Sequence, residues 1–192
     1  MRARLLRREV LPFYLALAAL GLATVLVDAV LHAARIAWIG RYLGIPGVLL
    51  IVGSFAYSLR KRKLMNAGSP VVLLRWHERM AWAGSLLVLV HAGIHVDASR
   101  GWLAGAAMVV NVASGLTGKY LLQRSRLRLE QTRQRLRDEG LTAAQLDERM
   151  YWDSLTFDAV KSWRTVHYPI TLAFAVLALT HILAIFLFWG WR

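Results

Sequence analysis

Residues 71–96 read VVLLRWHERMAWAGSLLVLVHAGIHV, and residues 166–189 read VHYPITLAFAVLALTHILAIFLFW. Each stretch can cross the roughly 30 Å hydrocarbon core of a bilayer as an α-helix, which takes about 20 apolar residues. The first carries His77 and His91, with His95 at its end, and the second carries His167 and His181; the intervals 77–91 and 167–181 are both 14 residues. Fourteen residues advance about 1400° around a helix, so the second imidazole lies only about 40° from the first and about 21 Å further along the axis. Both segments therefore read as membrane helices with two imidazoles on one face, one near each side of the bilayer. Ionisable side chains are costly inside a membrane and are usually functional there.

Three further apolar runs, at 10–34, 42–59 and 102–122, bring the expected spans to five. The chain of 192 residues is 57% hydrophobic, above the 45–50% or so of soluble domains, and its charges are confined between the apolar runs. The expected fold is all-α, a polytopic membrane helix bundle forming one membrane domain over 1–192. The first run follows MRARLLRR and superficially suggests a signal peptide. It is longer than a signal h-region and shows no cleavage site before Asp28 and His32, so it reads as a retained helix. Zero cysteines exclude disulfides, thiolate zinc sites, iron–sulfur clusters and covalently attached c-type haem. No glycine-rich phosphate loop is present.

The net charge of +13 would suggest nucleic acid in a soluble protein. Here twenty of the 24 Lys and Arg residues fall on one side if the N-terminus is cytoplasmic, leaving Arg35, Arg41, Arg100 and Arg192 outside. That asymmetry is the positive-inside pattern of an inner-membrane protein of bacterial type, with a periplasmic C-terminus, and it leaves no role for nucleic acid. Trp38, Trp102, Trp189 and Trp191 fall near the outer ends, where aromatic belts sit. In the fourth span, Ala104, Ala107, Asn111, Ser114, Gly115 and Gly118 form a small-residue face suited to close helix packing. The polar stretch 123–162 reads as an amphipathic cytoplasmic connector, with Leu127, Leu129 and Leu136 set among arginines. It is broken at Gly140 and restarted by a capping box at Thr142-x-x-Gln145.

All six histidines (His32, His77, His91, His95, His167 and His181) lie within or at the ends of apolar runs. The third and fifth spans run in the same direction, so His77 can face His167 on the cytoplasmic side and His91 can face His181 on the outer side. Two opposed imidazoles in a helix bundle are what a six-coordinate haem b requires, which gives two haems b. A single intramembrane histidine also serves as interhelical hydrogen-bonding glue. Zinc needs three or four converging ligands, and a separation of about 21 Å along one helix defeats that. Only His91 and His95, at i and i+4, can share one metal ion, and His95 is the alternative outer haem ligand.

This arrangement resembles the di-haem transmembrane cytochromes b, which include cytochrome b of the bc complexes and the ferric reductase/NADPH oxidase membrane domain. The resemblance covers the third to fifth spans and rests on the spacing of the four histidines. It implies two haems stacked across the membrane on those ligands. The chain differs from the ferric reductase group in having five spans instead of six. No flavin- or NADPH-binding segment follows Trp189, so electrons are expected to enter from quinol or from another subunit.

Further residues fit that frame. Gly84 lies midway between His77 and His91 and leaves room for either a porphyrin edge or a neighbouring helix. Phe174 lies midway between His167 and His181 and is expected between the rings or in the core. Arg75, Arg79, Lys161 and Arg164 cluster near the inner pair and can contact haem propionates, although the positive-inside rule alone also places them there. Asp28, His32 and His95 are candidates for a quinone or proton site, with a structural hydrogen-bonded Asp28–His32 pair as the alternative. The expected function is electron transfer across the membrane between a quinone pool and a periplasmic redox partner such as a c-type cytochrome. The rival readings are a ferric or metal reductase subunit with a separate donor chain, and a non-redox transporter or anchor.

Overall fold

The computed structural model describes residues 11–94 and 99–188, and every regular element among them is helical. In chain order these are α1 (Leu11–Ala33), α2 (Ala37–Gly40), α3 (Gly44–Ser54), α4 (Ala56–Lys61), α5 (Pro70–Ile94) and α6 (Ser99–Thr117). A π-helical turn (Gly118–Leu122), α7 (Gln123–Asp138) and α8 (Ala143–Phe188) complete it. The chain is an all-α helical bundle of membrane type.

Among the described residues, three segments are long and apolar enough to cross a bilayer: Leu11–Ala33, Ala37–Lys61 and Thr165–Phe188. Helices α5 and α6, with 25 and 19 residues, have the length. The apolar run of α5 is diluted by Arg75, His77, Glu78 and Arg79, and that of α6 by its glycines, Ser114 and Asn111. The second expected span, 42–59, is not one helix but is divided between α3 and α4. The fifth span is the C-terminal half of α8, a 46-residue helix with Pro169 in its interior. The connector over 123–162 is therefore helical almost throughout.

Three helix ends share one device. At the ends of α1, α4 and α7 the chain turns into the left-handed region at Arg35 (φ 57), Lys63 (φ 60) and Gly140 (φ 83). At α1, Arg35 N–H donates to the His32 carbonyl (3.0 Å) and Ile36 N–H to the Leu31 carbonyl (2.9 Å). Lys63/Leu64 repeat the pattern at α4 and Gly140/Leu141 at α7. These are Schellman caps, which satisfy the terminal carbonyls and bring an apolar residue beyond the cap onto the last turn. At Gly140 that residue is Leu141, which packs with Leu129 against buried Leu136, Leu146 and Met150. The capping box restarts the chain as read, with Thr142 N–H donating to Gln145 Oε1 at 3.0 Å. Leu129 and Leu136 thus serve a helical hairpin rather than a lipid face, while Leu127 stays exposed.

The described chain forms two compact units: Ala113–Leu172 with the chain up to Leu17, and Ala18–Val112 with the chain from Ala173 on. In the second unit α3 lies against α5 at a glycine crossing. A Cβ on Gly84 would stand 2.8 Å from the Gly47 carbonyl oxygen, and one on Gly47 would stand 3.1 Å from the Gly84 oxygen. Gly84 is therefore a helix-packing residue, and the porphyrin-edge reading of it falls: α3 occupies the space that the missing side chain leaves. On α5 as well, the buried Ser85 hydroxyl donates to Met108 Sδ of α6 at 3.4 Å.

Candidate functional site

Three of the four histidines picked out by the equal intervals have Nδ1 held by an oxygen from another helix or segment. His77 Nδ1 donates to the Ser54 carbonyl at 3.0 Å. Ser54 is the last residue of α3, where helix geometry leaves carbonyls without an intrahelical donor. His91 Nδ1 donates to the Gly40 carbonyl at 3.3 Å. His167 Nδ1 lies 2.7 Å from Ser114 Oγ on α6. A carbonyl can only accept, so the His77 and His91 rings carry their proton on Nδ1 and their lone pair on Nε2. Metal-ligating histidines are oriented in this way as a rule, with the non-ligating nitrogen bonded to a carbonyl, carboxylate or similar group.

His91 is further placed by Gly44. A Cβ built there would meet Cδ2, Cγ and Nε2 of the His91 ring at 3.0, 3.1 and 3.1 Å, so the ring lies flat over the bare glycine. Across from it, the His181 ring stands with its centroid 6.3 Å from that of His91, the planes at 69°. A metal held between two imidazole nitrogens would set the ring centroids roughly 6 Å apart: two metal–nitrogen bonds of about 2.0 Å plus about 1.1 Å from each nitrogen to its ring centre. The His91–His181 centroid separation of 6.3 Å is of that size. No group of three His, Cys, Asp or Glu side chains able to hold a metal ion occurs among the described residues.

His77 and His167 belong to different units, each with its own surroundings. The His77 ring lies 5.7 Å from the Tyr57 ring of α4, tilted at 36°. Phe174 is buried. Arg75 and Arg79 are exposed. Each is two residues from His77, about 160° round the helix, which sets them on the far face of α5. Lys161 and Arg164 lie on α8, their side chains outside the described residues, as does His95 altogether.

Near the end of α1, His32 Nδ1 lies 2.9 Å from the Asp28 carbonyl, one turn back on its own helix, and 3.5 Å from Asp28 Oδ1. That carboxylate oxygen is buried and has no hydrogen-bond partner. Asp28 and His32 are thus brought together as the spacing implied. An unsatisfied carboxylate oxygen in an apolar helix is an expensive arrangement that marks a functional candidate.

The residues that the sequence reading missed are Gly40, Gly44, Ser54 and Tyr57. Gly40, Gly44 and Gly47 recur at helical spacing, a small-residue stripe that signals close approach. The carbonyl roles of Gly40 and Ser54 depend on where the helices break and leave no mark in residue type. Compared with family models, with curated proteins and with solved structures, the chain matches none.

Proposed function

We propose that the chain is a membrane-embedded cytochrome b that binds two haems b and carries electrons across a bacterial inner membrane. The observation that carries this reading is the His91–His181 pair, 6.3 Å apart between ring centroids, with His91 held in the ligating tautomer by Gly40. The equal 14-residue intervals extend the assignment to His77 and His167 as ligands of the second haem. When bound, the haems supply one-electron redox chemistry, while axial ligands and their hydrogen bonds set the potentials. The chain's own part is to hold imidazoles of defined tautomer at two depths and to keep water from them with apolar helices. Asp28 and His32 are the proposed proton acceptors when a quinol is oxidised, because that reaction releases protons to titratable groups. The basic-residue asymmetry supports a cytoplasmic N-terminus and a periplasmic C-terminus, where a c-type cytochrome or similar carrier exchanges electrons.

The test is the visible spectrum and haem-to-protein ratio of the full chain purified from membranes. Two haems b per chain are expected, and a protein without a Soret band overturns the reading in favour of a transporter or anchor. Rapid mixing with a quinol analogue, followed at the haem α-band, then addresses the donor. Reduction by an associated flavoprotein but not by quinol would replace the quinol role with that of a reductase subunit.

A further inference from the structure

We infer that Ser114 is a positioning residue for His167, holding its imidazole with the proton on Nδ1 so that Nε2 is the nitrogen offered to iron. The functional meaning of this inference rests on the haem reading of His167; its geometry does not. Ser114 and His167 lie in the same compact unit, and Ser114 is only 2% exposed, so water does not compete for its hydroxyl. The 2.7 Å separation is short for a bond between a hydroxyl and a ring nitrogen.

Four threonine hydroxyls of these helices behave differently. Thr24, Thr117, Thr171 and Thr180 each donate to a carbonyl one turn back on their own helix, the usual local bond of helical Ser and Thr. Ser114 also reaches across to an imidazole on α8. A hydroxyl has one proton and two lone pairs. If the proton follows the local pattern, the oxygen is left to accept, and the only ring form it can accept from at Nδ1 is Nδ1–H. His77 and His91 are held in that form by carbonyls, which have no alternative. Ser114 is thus the one partner of the three whose chemistry permits either tautomer.

The backbone explains why His167 needs such a bond. Pro169 lies inside α8, two residues on. A proline in a helix interior removes one backbone donor, the one that would pair with the carbonyl four residues earlier (Thr165), and loosens the turn. Thr171 Oγ1 donates to the His167 carbonyl at 2.9 Å, and Ser114 holds the ring. Side chains thereby supply at this turn the definition that the helix ladder lacks.

The experiment is nitrogen NMR of the full chain in detergent micelles, labelled with 15N-histidine, with His167 assigned by its loss in His167→Gln. In the wild-type protein His167 should be protonated at Nδ1, with a lone-pair or iron-bound Nε2. Ser114→Ala should shift the His167 Nδ1 resonance and leave those of His77 and His91 in place, and Ser114→Thr, which keeps the hydroxyl, should restore it. In haem-loaded protein, Ser114→Ala should weaken retention of one haem by about 10–100-fold, the usual effect of removing a partner of a ligating histidine. It should also raise that haem's potential, because the imidazole becomes a poorer donor to ferric iron. Protonation of wild-type His167 at Nε2, or a Ser114→Ala spectrum and potential identical to wild type, overturns the inference. A chain devoid of haem refutes the proposed function instead, and the wild-type nitrogen shifts still decide the role of Ser114.

Discussion

Replacing Gly84 by alanine should force α3 and α5 apart, and the cost can be worked from the crossing itself. The new methyl would stand 2.8 Å from the Gly47 carbonyl oxygen, 2.8 Å from Ile51 Cγ1 and 3.2 Å from Leu50 Cβ. Relaxed carbon contacts lie at about 3.5–4.0 Å, so the helices must separate by several tenths of an ångström. Two of the three obstacles sit on or next to backbone and cannot swing away. Overpacking of this kind costs about 1–3 kcal/mol, and the better helix propensity of alanine returns up to about 1 kcal/mol. The net loss should be about 1–2 kcal/mol. A graded series isolates the cause. Gly47→Ala meets Val88 Cγ2 at 2.8 Å and should behave similarly, whereas Gly53→Ala meets only the flexible end of Met80 at 3.0 Å and should be close to neutral. Gly93→Ala meets nothing within 4 Å and should be neutral or slightly stabilising. SDS titration in detergent micelles, followed by far-UV circular dichroism, reads the order. Equal midpoints for Gly84→Ala and Gly93→Ala would refute the crossing. Because α3 is followed by Phe55 and preceded by the Gly40–Gly44 segment, Gly84→Ala should also lower haem retention at His91.

The Schellman caps predict that Arg35→Gly and Lys63→Gly each stabilise by about 1 kcal/mol, since an L side chain is strained in the left-handed region. Gly140→Ala should destabilise the hairpin by a similar amount, although a Cβ there meets nothing within 4 Å; the same titrations check all three. His91→Ala and His181→Ala should each lower the haem content from two to one per chain, and loss of one haem in His95→Ala but not in His91→Ala would move the outer ligand to His95. Asp28→Asn should slow reduction by a quinol analogue by about 10²-fold or more, as expected for loss of a general base, with the haem spectrum unchanged; an unaltered rate removes Asp28 from the proton path. A reporter fused after Arg192 should be active in the periplasm, and reporters at the N-terminus or within 123–162 should be active in the cytoplasm.

The helical fold was legible because apolar runs and helix periodicity survive in residue type, and so were the hairpin ends at Gly140 and Thr142. The sequence reading also found the histidine pair, since an interval of 14 residues on two helices is a purely periodic signal. It could not settle Gly84, because a glycine facing a haem and a glycine facing a helix are the same residue; only the position of Gly47 decides. Nor could it find the carbonyls of Gly40 and Ser54, whose availability depends on where the helices break, at Arg41 and Phe55, and not on the type of the residue that carries the carbonyl. The second span read as continuous for the same reason. The connector was legible as two helices broken at Gly140, but its packing was not: Leu136, Leu146 and Met150 meet across the turn, a contact that depends on how the two helices fold back on each other.

The His91–His181 pairing has a consequence for how the protein is made. Its two members lie 90 residues apart, while α3 and α5 meet through neighbouring parts of the chain and the α7–α8 hairpin closes over a four-residue turn. Short-range contacts form quickly, and chains emerge from the ribosome N-terminus first at about 5–20 residues per second. The glycine crossing, the Gly40 anchor and the orientation of His91 can therefore all be in place seconds before His181 has been synthesised. During that interval His91 is in place without His181 opposite it. On the proposed haem reading, cofactor capture at this pair awaits insertion of the last apolar segment, so a ribosome stalled before residue 181 should release a chain that is folded around α5 and empty of iron.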